Sequence, residues 1–168
     1  VGSFGDLSTF SFFASHHITT MEGGMVLTSN KTLYELGKSL RTFGWVRDLS
    51  SRKTLEKKYQ KIDPRFLFVN MGYNFRPTEL QGAFGIHQIK KLENLVKIRI
   101  KNATFWNKKL SPYEEFLILP KLKKHYRKSF LFYPLTVIKN NYFSKQELVN
   151  RLEKVGIETR PVMAGNIL

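Results

Sequence analysis

Ser11-Phe12-Phe13-Ala14-Ser15-His16-His17-Ile18-Thr19-Thr20-Met21-Glu22-Gly23-Gly24 gathers hydroxyls, two histidines and two glycines in a stretch without a cationic side chain. The aromatic, β-prone run Thr9 to Phe13 leads into it. Glu22-Gly23-Gly24 punctuates its end before the apolar run Met25 to Thr28, so the region reads as a strand, a turn and a short buried strand. Adjacent histidines on extended backbone point to opposite sides, so His16 and His17 are not expected to ligate one metal together. No His-x-x-x-His spacing or nearby carboxylate supports them, and no metal site is expected. Neither Ser11 nor Ser15 sits in a Gly-x-Ser-x-Gly elbow. Residue chemistry alone leaves two readings of the histidines open: an acid–base group beside hydroxyls, or a packed or capping side chain.

Downstream, Asn30 is placed to cap a helix running to about Arg41, with Leu33, Leu36, Gly37 and Leu40 on one face. Residues 43–70 lack a clean period and read as a turn, a polar connector through Lys61 and a turn at Asp63-Pro64. Gly72-Tyr73-Asn74-Phe75-Arg76-Pro77 is a loop entering the strongest helical pattern, with Pro77 suited to its first turn. That stripe runs through Leu80, Ala83, Phe84, Ile89, Leu92, Leu95 and Val96 toward Trp106 and Leu110. Gly82 and Gly85 inside it each cost about 1 kcal/mol relative to Ala, a penalty expected where another backbone packs closely. After Pro112 the pattern predicts strands at Phe116–Leu119 and Phe130–Ile138. Ser144-Lys145-Gln146-Glu147 forms a capping box opening a helix that stops at Gly156. Ile157 to Pro161 leaves as an extended segment.

Composition narrows the function classes. With 42% hydrophobic residues among 168, a folded chain buries roughly 70% of its unfolded surface, which argues against disorder. The absence of cysteine excludes disulfides, thiolate zinc sites, cysteine nucleophiles and cysteine-ligated iron–sulfur clusters. The uncharged stretch Leu7 to Met21 is too short and too polar to span a bilayer, and no secretory signal is visible, so a cytoplasmic protein without membrane contact is expected. The net charge of +15 fits a polyanionic partner, an anionic small substrate, or a general lysine bias. Two of the basic stretches fall on predicted helices, where lysines form a solvated outer face, and no nucleic-acid-binding motif accompanies them. A basic nucleic-acid-binding module is thus the distant alternative.

The stretch 11–24 resembles the signature of the sugar aminotransferases of the DegT/DnrJ/EryC1/StrS family, pyridoxal-phosphate enzymes of the aspartate-aminotransferase (type I) fold. The family pattern is Ser-Phe, three residues, the Schiff-base lysine, and then Glu-Gly-Gly. Here His16 stands at the lysine position, and imidazole cannot form the covalent link that an amine forms. His-His-Ile-Thr resembles the branch that contains the GDP-4-keto-6-deoxy-D-mannose 3-dehydratases. Gly72-Tyr73-Asn74-Phe75-Arg76-Pro77-Thr78-Glu79-Leu80-Gln81 is similar to a second family loop, and Glu158-Thr159-Arg160-Pro161 through Ala164-Gly165-Asn166 to a third motif. Met21 departs from the Gly common at its position.

The resemblance implies an α/β fold: a remnant of the large cofactor domain in 1–88, then a linking helix and an incomplete small domain in 89–168. It implies a fragment, since family members are more than twice as long. It implies a nucleotide-sugar 3-dehydratase of dideoxysugar (O-antigen) biosynthesis, holding pyridoxal or pyridoxamine 5′-phosphate non-covalently, with glutamate as amino donor; the absence of cysteine sets aside the version of that branch with an iron–sulfur cluster. His16 would be the acid–base catalyst. Ser11 would bind the cofactor phosphate, and Asn74 that of the neighbouring subunit in a homodimer with shared active sites. Arg160 and Glu158 would meet the nucleotide-linked 4-keto-6-deoxy sugar. The alternative is a nucleotide-sugar aminotransferase.

Overall fold

The computed structural model describes residues 2–121 and 125–162. The chain divides into two compact units, Val1–Leu92 and Glu93–Leu168, with the boundary inside its longest helix.

In the first unit, β1 (Ser8–Ser11) pairs antiparallel with β2 (Gly24–Leu27), Ser8 facing Leu27 and Ser11 facing Gly24. The buried second strand expected from Met25 to Thr28 is instead exposed, Val26 by 63%. The ribbon carries no third strand among the described residues, and two strands alone cover little of each other's faces. Helix α1 (Lys31–Arg41) begins as predicted: Asn30 Oδ1 accepts from Thr32 N at 2.9 Å and Leu33 N at 3.2 Å. Lys38 and Arg41 lie in its last turn, where the helix dipole favours cations.

The chain then reverses. Phe43 and Gly44 take left-handed φ values of 60° and 85°, and residues 43–46 cross the segment 67–75 backbone against backbone. Phe43 N donates to Tyr73 O at 2.9 Å, Val69 N to Gly44 O at 2.9 Å, Val46 N to Leu67 O at 3.2 Å, and Tyr73 N to Leu40 O at 2.7 Å. A Cβ on Gly44 would lie 1.7 Å from Asn70 O, and one on Gly72 2.3 Å from Gly44 N. Val46 and Leu67 form the apolar centre, 0% and 1% exposed. The equally buried Ser39 accepts from Asn70 Nδ2 at 2.9 Å, so its hydroxyl is not stranded.

The polar connector contains a helix that the pattern does not predict, α2 (Arg52–Lys58). Its seven residues lack an apolar stripe, and an Arg52–Glu56 ion pair at 2.7 Å spans the turn instead. Asp63-Pro64 does initiate a turn, with Asp63 Oδ1 accepting from Arg65 N at 2.9 Å. Helix α3 (Glu79–Leu110) starts two residues after Pro77, which therefore precedes the helix. Thr78 caps it: Gln81 Oε1 accepts from Thr78 N at 2.8 Å, and Thr78 Oγ1 accepts from Gln81 N at 3.4 Å, a capping box. No backbone among the described residues lies against Gly82 or Gly85. Among those residues nothing comes within 4 Å of a Cβ on Gly82, and the nearest atom to one on Gly85 is Thr20 Cγ2 at 3.1 Å.

In the second unit, Val96 and Ala103 of α3 are buried, as are Leu117 and Phe130. Strands β3 (Leu117–Ile118) and β4 (Thr136–Val137) are shorter than predicted. Residues 130–131 are held by a side chain rather than a ladder: Arg99 Nη1 donates to Phe130 O at 2.8 Å and Leu131 O at 3.1 Å. Asn107 Nδ2 donates to Pro120 O at 2.9 Å, while Asn107 Oδ1 accepts from Tyr133 Oη. Helix α4 (Lys145–Lys154) has the predicted capping box between Ser144 and Glu147. It ends in a Schellman turn, with Gly156 N donating to Glu153 O and Ile157 N to Leu152 O.

Two measurements check this description. Gly44→Ala is expected to lose on the order of 3–4 kcal/mol of unfolding free energy or to prevent folding of the first unit, read by denaturant melts. The Ser144 backbone N–H, then its hydroxyl, holds the Glu147 carboxyl below its usual range. Because that pKa is depressed, the cap's contribution is complete above the ordinary glutamate range and is lost as pH falls through the folded-state value. An NMR titration of Glu147 should show the low pKa, and Ser144→Ala should raise it.

Candidate active site

Residues 12–23 leave β1 and re-enter β2 as one closed loop. Phe12 N donates to Gly23 O, and Thr20 N returns to Phe12 O, both at 2.9 Å. Within it His16 N donates to Phe13 O at 3.0 Å, and the imidazole packs edge-on against the Phe13 ring with centroids 5.8 Å apart. His16 is half-buried, reachable from solvent yet fixed by a ring contact. His17 Nε2 is shielded from solvent. Both histidines are half-buried, so burial alone does not separate the acid–base reading from the packed one.

The far end of the loop is tightly specified. Met21 adopts a left-handed φ of 70°, which costs a non-glycine residue about 1–2 kcal/mol. This is the physical reason a glycine suits that position. Met21 N is taken by Thr19 Oγ1 at 2.9 Å. The next carbonyl, Glu22 O, accepts from Thr20 Oγ1 and from Gln81 Nε2 on α3, both at 2.7 Å. Thr20 is buried, and a Cβ on Gly23 would fall 2.4 Å from its hydroxyl. The importance of Thr20 and Gln81 is not apparent from residue chemistry. The available signal for Gln81 is the Thr78-x-x-Gln81 capping pattern.

Ser11 is the last residue of β1 and is exposed. Its Oγ accepts from Phe13 N at 3.3 Å, so the hydroxyl proton remains to donate. Ser11 and His16 thus share one loop. Asn74 stands on a separate segment of the same unit, bridged to Thr42. Its Oδ1 accepts from Arg76 Nε at 3.0 Å, leaving the Nδ2 hydrogens to donate. Glu158 and Arg160 lie in the second unit and pair with each other at 2.9 Å, both well exposed. Ala164-Gly165-Asn166 lies outside the described residues.

A free hydroxyl donor beside a loop without an amine is compatible with a phosphorylated pyridine cofactor bound without a covalent link. Ser11 and Asn74 offer neutral hydrogen-bond donors to a phosphate. No lysine or arginine occurs in residues 1–30, so this loop offers no amine for a Schiff base. Among the described residues no group of three or more His, Asp or Glu side chains could hold a metal ion. None of the helices described is long and apolar enough to cross a membrane.

The chain is 38% identical to the GDP-4-keto-6-deoxy-D-mannose 3-dehydratase of Yersinia pseudotuberculosis, over 99% of this chain and 42% of that protein. It superposes on the E. coli GDP-4-keto-6-deoxy-D-mannose 3-dehydratase with bound hydrated PLP at a TM-score of 0.85 and 34% identity, covering 99% of this chain and 42% of that one. A GDP-4-keto-6-deoxymannose 3-dehydratase with a trapped PLP–glutamate geminal diamine matches at a TM-score of 0.82 and 32% identity, covering 96% and 42%. The chain therefore spans about two fifths of the length of the curated relatives it matches, and its backbone is part of the PLP-dependent aminotransferase-like fold. With residues 1–166 matching the family and the loop carrying His16 at their start, the chain belongs to the DegT/DnrJ/EryC1/StrS aminotransferase family.

Proposed function

We propose that this chain supplies the histidine-bearing part of a nucleotide-sugar 3-dehydratase, which removes the 3-hydroxyl of a 4-keto-6-deoxyhexose with glutamate as reductant. The observation that carries the reading is His16: a half-buried imidazole, fixed by Phe13, at the position where the family's aminotransferases carry their lysine. The relatives named as dehydratases, at 36–38% identity, support it over transamination.

In this reading Ser11 donates to the cofactor phosphate, and Asn74 to the phosphate in the other subunit of a cytoplasmic homodimer. Pyridoxamine phosphate, when bound, supplies the amine and a ring that accepts electrons. His16 takes up a proton at an imidazole nitrogen and delivers it to the departing 3-hydroxyl, which leaves as water. Arg160 offers a planar fork to an anionic group of the substrate, with Glu158 orienting it. In the net reaction the sugar gains two electrons at C-3 and glutamate is oxidised to 2-oxoglutarate; one water is consumed in the hydrolysis that restores the 4-keto group and releases the nitrogen as ammonia.

In the enzyme that contains this sequence, His16→Asn is expected to lower deoxygenation about 10²–10⁴-fold with little change in cofactor binding, followed by cofactor absorbance. His16→Lys should also lose deoxygenation and form a covalent cofactor link that borohydride reduction traps. Deoxygenation unchanged in both variants would remove His16 from the mechanism. Ser11→Ala should weaken cofactor binding about tenfold, as loss of one hydrogen bond to a charged phosphate does, and leave the substrate KM unchanged.

A further inference from the structure

We propose that Gln81 is the positioning residue of the His16 loop. Its side chain works in two directions. Oε1 accepts from Thr78 N and so caps α3, while Nε2 donates at 2.7 Å to Glu22 O across 59 residues of sequence. That carbonyl follows the left-handed Met21. A strained backbone residue persists only where its surroundings over-determine it. Here the restraints are Thr19 Oγ1 on Met21 N, Thr20 Oγ1 on Glu22 O, and Gln81 Nε2 on the same oxygen. The first two belong to the loop and move with it. Thr20 also lies beside Gly85 of α3, but of the three hydrogen bonds only that of Gln81 comes from the helix and so ties the turn to an independent element.

The consequence reaches His16 through the backbone. Gly23 O and Thr20 N are the partners of Phe12, so the Glu22–Gly23 turn closes the loop at the Phe12 end. Phe13, beside that closure, carries the ring against which His16 packs. Loss of the Gln81 contact therefore loosens the closure and widens the range of positions open to the imidazole. This role rests on the reading of His16 as the acid–base group, but the contact itself does not.

Gln81→Glu separates the two functions of the side chain. A carboxylate still accepts from Thr78 N, so the helix cap survives, but it cannot donate to Glu22 O and repels that oxygen. Hydrogen–deuterium exchange of the chain is expected to show peptides covering 12–23 exchanging about tenfold faster, with peptides covering 79–92 unchanged. Loop exchange that is unchanged, or that rises equally in loop and helix, overturns the proposal. In the enzyme that contains this sequence, Gln81→Glu is expected to lower kcat for deoxygenation about tenfold with the KM for glutamate unchanged. Adding Met21→Gly, which relieves the left-handed strain, should recover most of that loss. A loosened loop with an unchanged kcat would also overturn it. If the unaltered enzyme shows no deoxygenation, the proposed function falls, while the exchange result still decides whether Gln81 holds the loop.

Discussion

The reversal at Phe43-Gly44 is possible only because residue 44 has no side chain. With a Cβ there, Asn70 O would stand 1.7 Å away, and the segment 67–75 could not lie against it. Much of the first unit follows from that contact. It brings Tyr73 onto Leu40 and Phe75 onto Arg41, fixes Asn74 opposite Thr42, and sets where the chain stands when Thr78 caps α3. The first turn of α3 then presents Gln81 to Glu22. A backbone crossing with two buried apolar side chains, Val46 and Leu67, thus links the end of α1 to the loop that carries His16.

Where local chemistry decides the structure, the sequence is a good guide. Asn30, Ser144 with Glu147, and Gly156 are capping signals whose partners lie within a few residues, and each forms the bonds its type predicts. Where a distant partner decides, it is a poor one. Met25 to Thr28 reads as a buried strand, yet Met25, Val26 and Leu27 are exposed, because an apolar run says nothing of whether a third strand will cover it. Phe130 and Leu131 read as ladder residues, but Arg99, 31 and 32 positions away, takes their carbonyls. Helix α2 escaped prediction because its support is an ion pair, which leaves no hydrophobic period.

The candidate site divides in the same way. His16, Ser11 and Asn74 are legible as residue types within ordered motifs, since a histidine where an amine is expected changes what chemistry the position can do. Thr20 carries no such signal and Gln81 only that of the Thr78 capping pattern, because what they share is one carbonyl oxygen. Met21 sits between these cases. A residue other than glycine at that position signals a turn whose left-handed backbone needs external support, and the structure shows the left-handed φ together with the bonds around it. The basic residues of α2 and the outer positions of α3 are exposed, the solvated face that helices of this composition present.

The proposed commitment of the site, set by a histidine in place of an amine, is to removing a hydroxyl rather than installing an amino group. Its most direct test is mass spectrometry and NMR of the sugar nucleotide recovered after a GDP-linked 4-keto-6-deoxyhexose is incubated with pyridoxal phosphate, glutamate and the enzyme that contains this sequence. The proposed chemistry gives a 4-keto product with hydrogen in place of the 3-hydroxyl, formed with one equivalent each of 2-oxoglutarate and ammonia. A 4-amino sugar that keeps its 3-hydroxyl would contradict it.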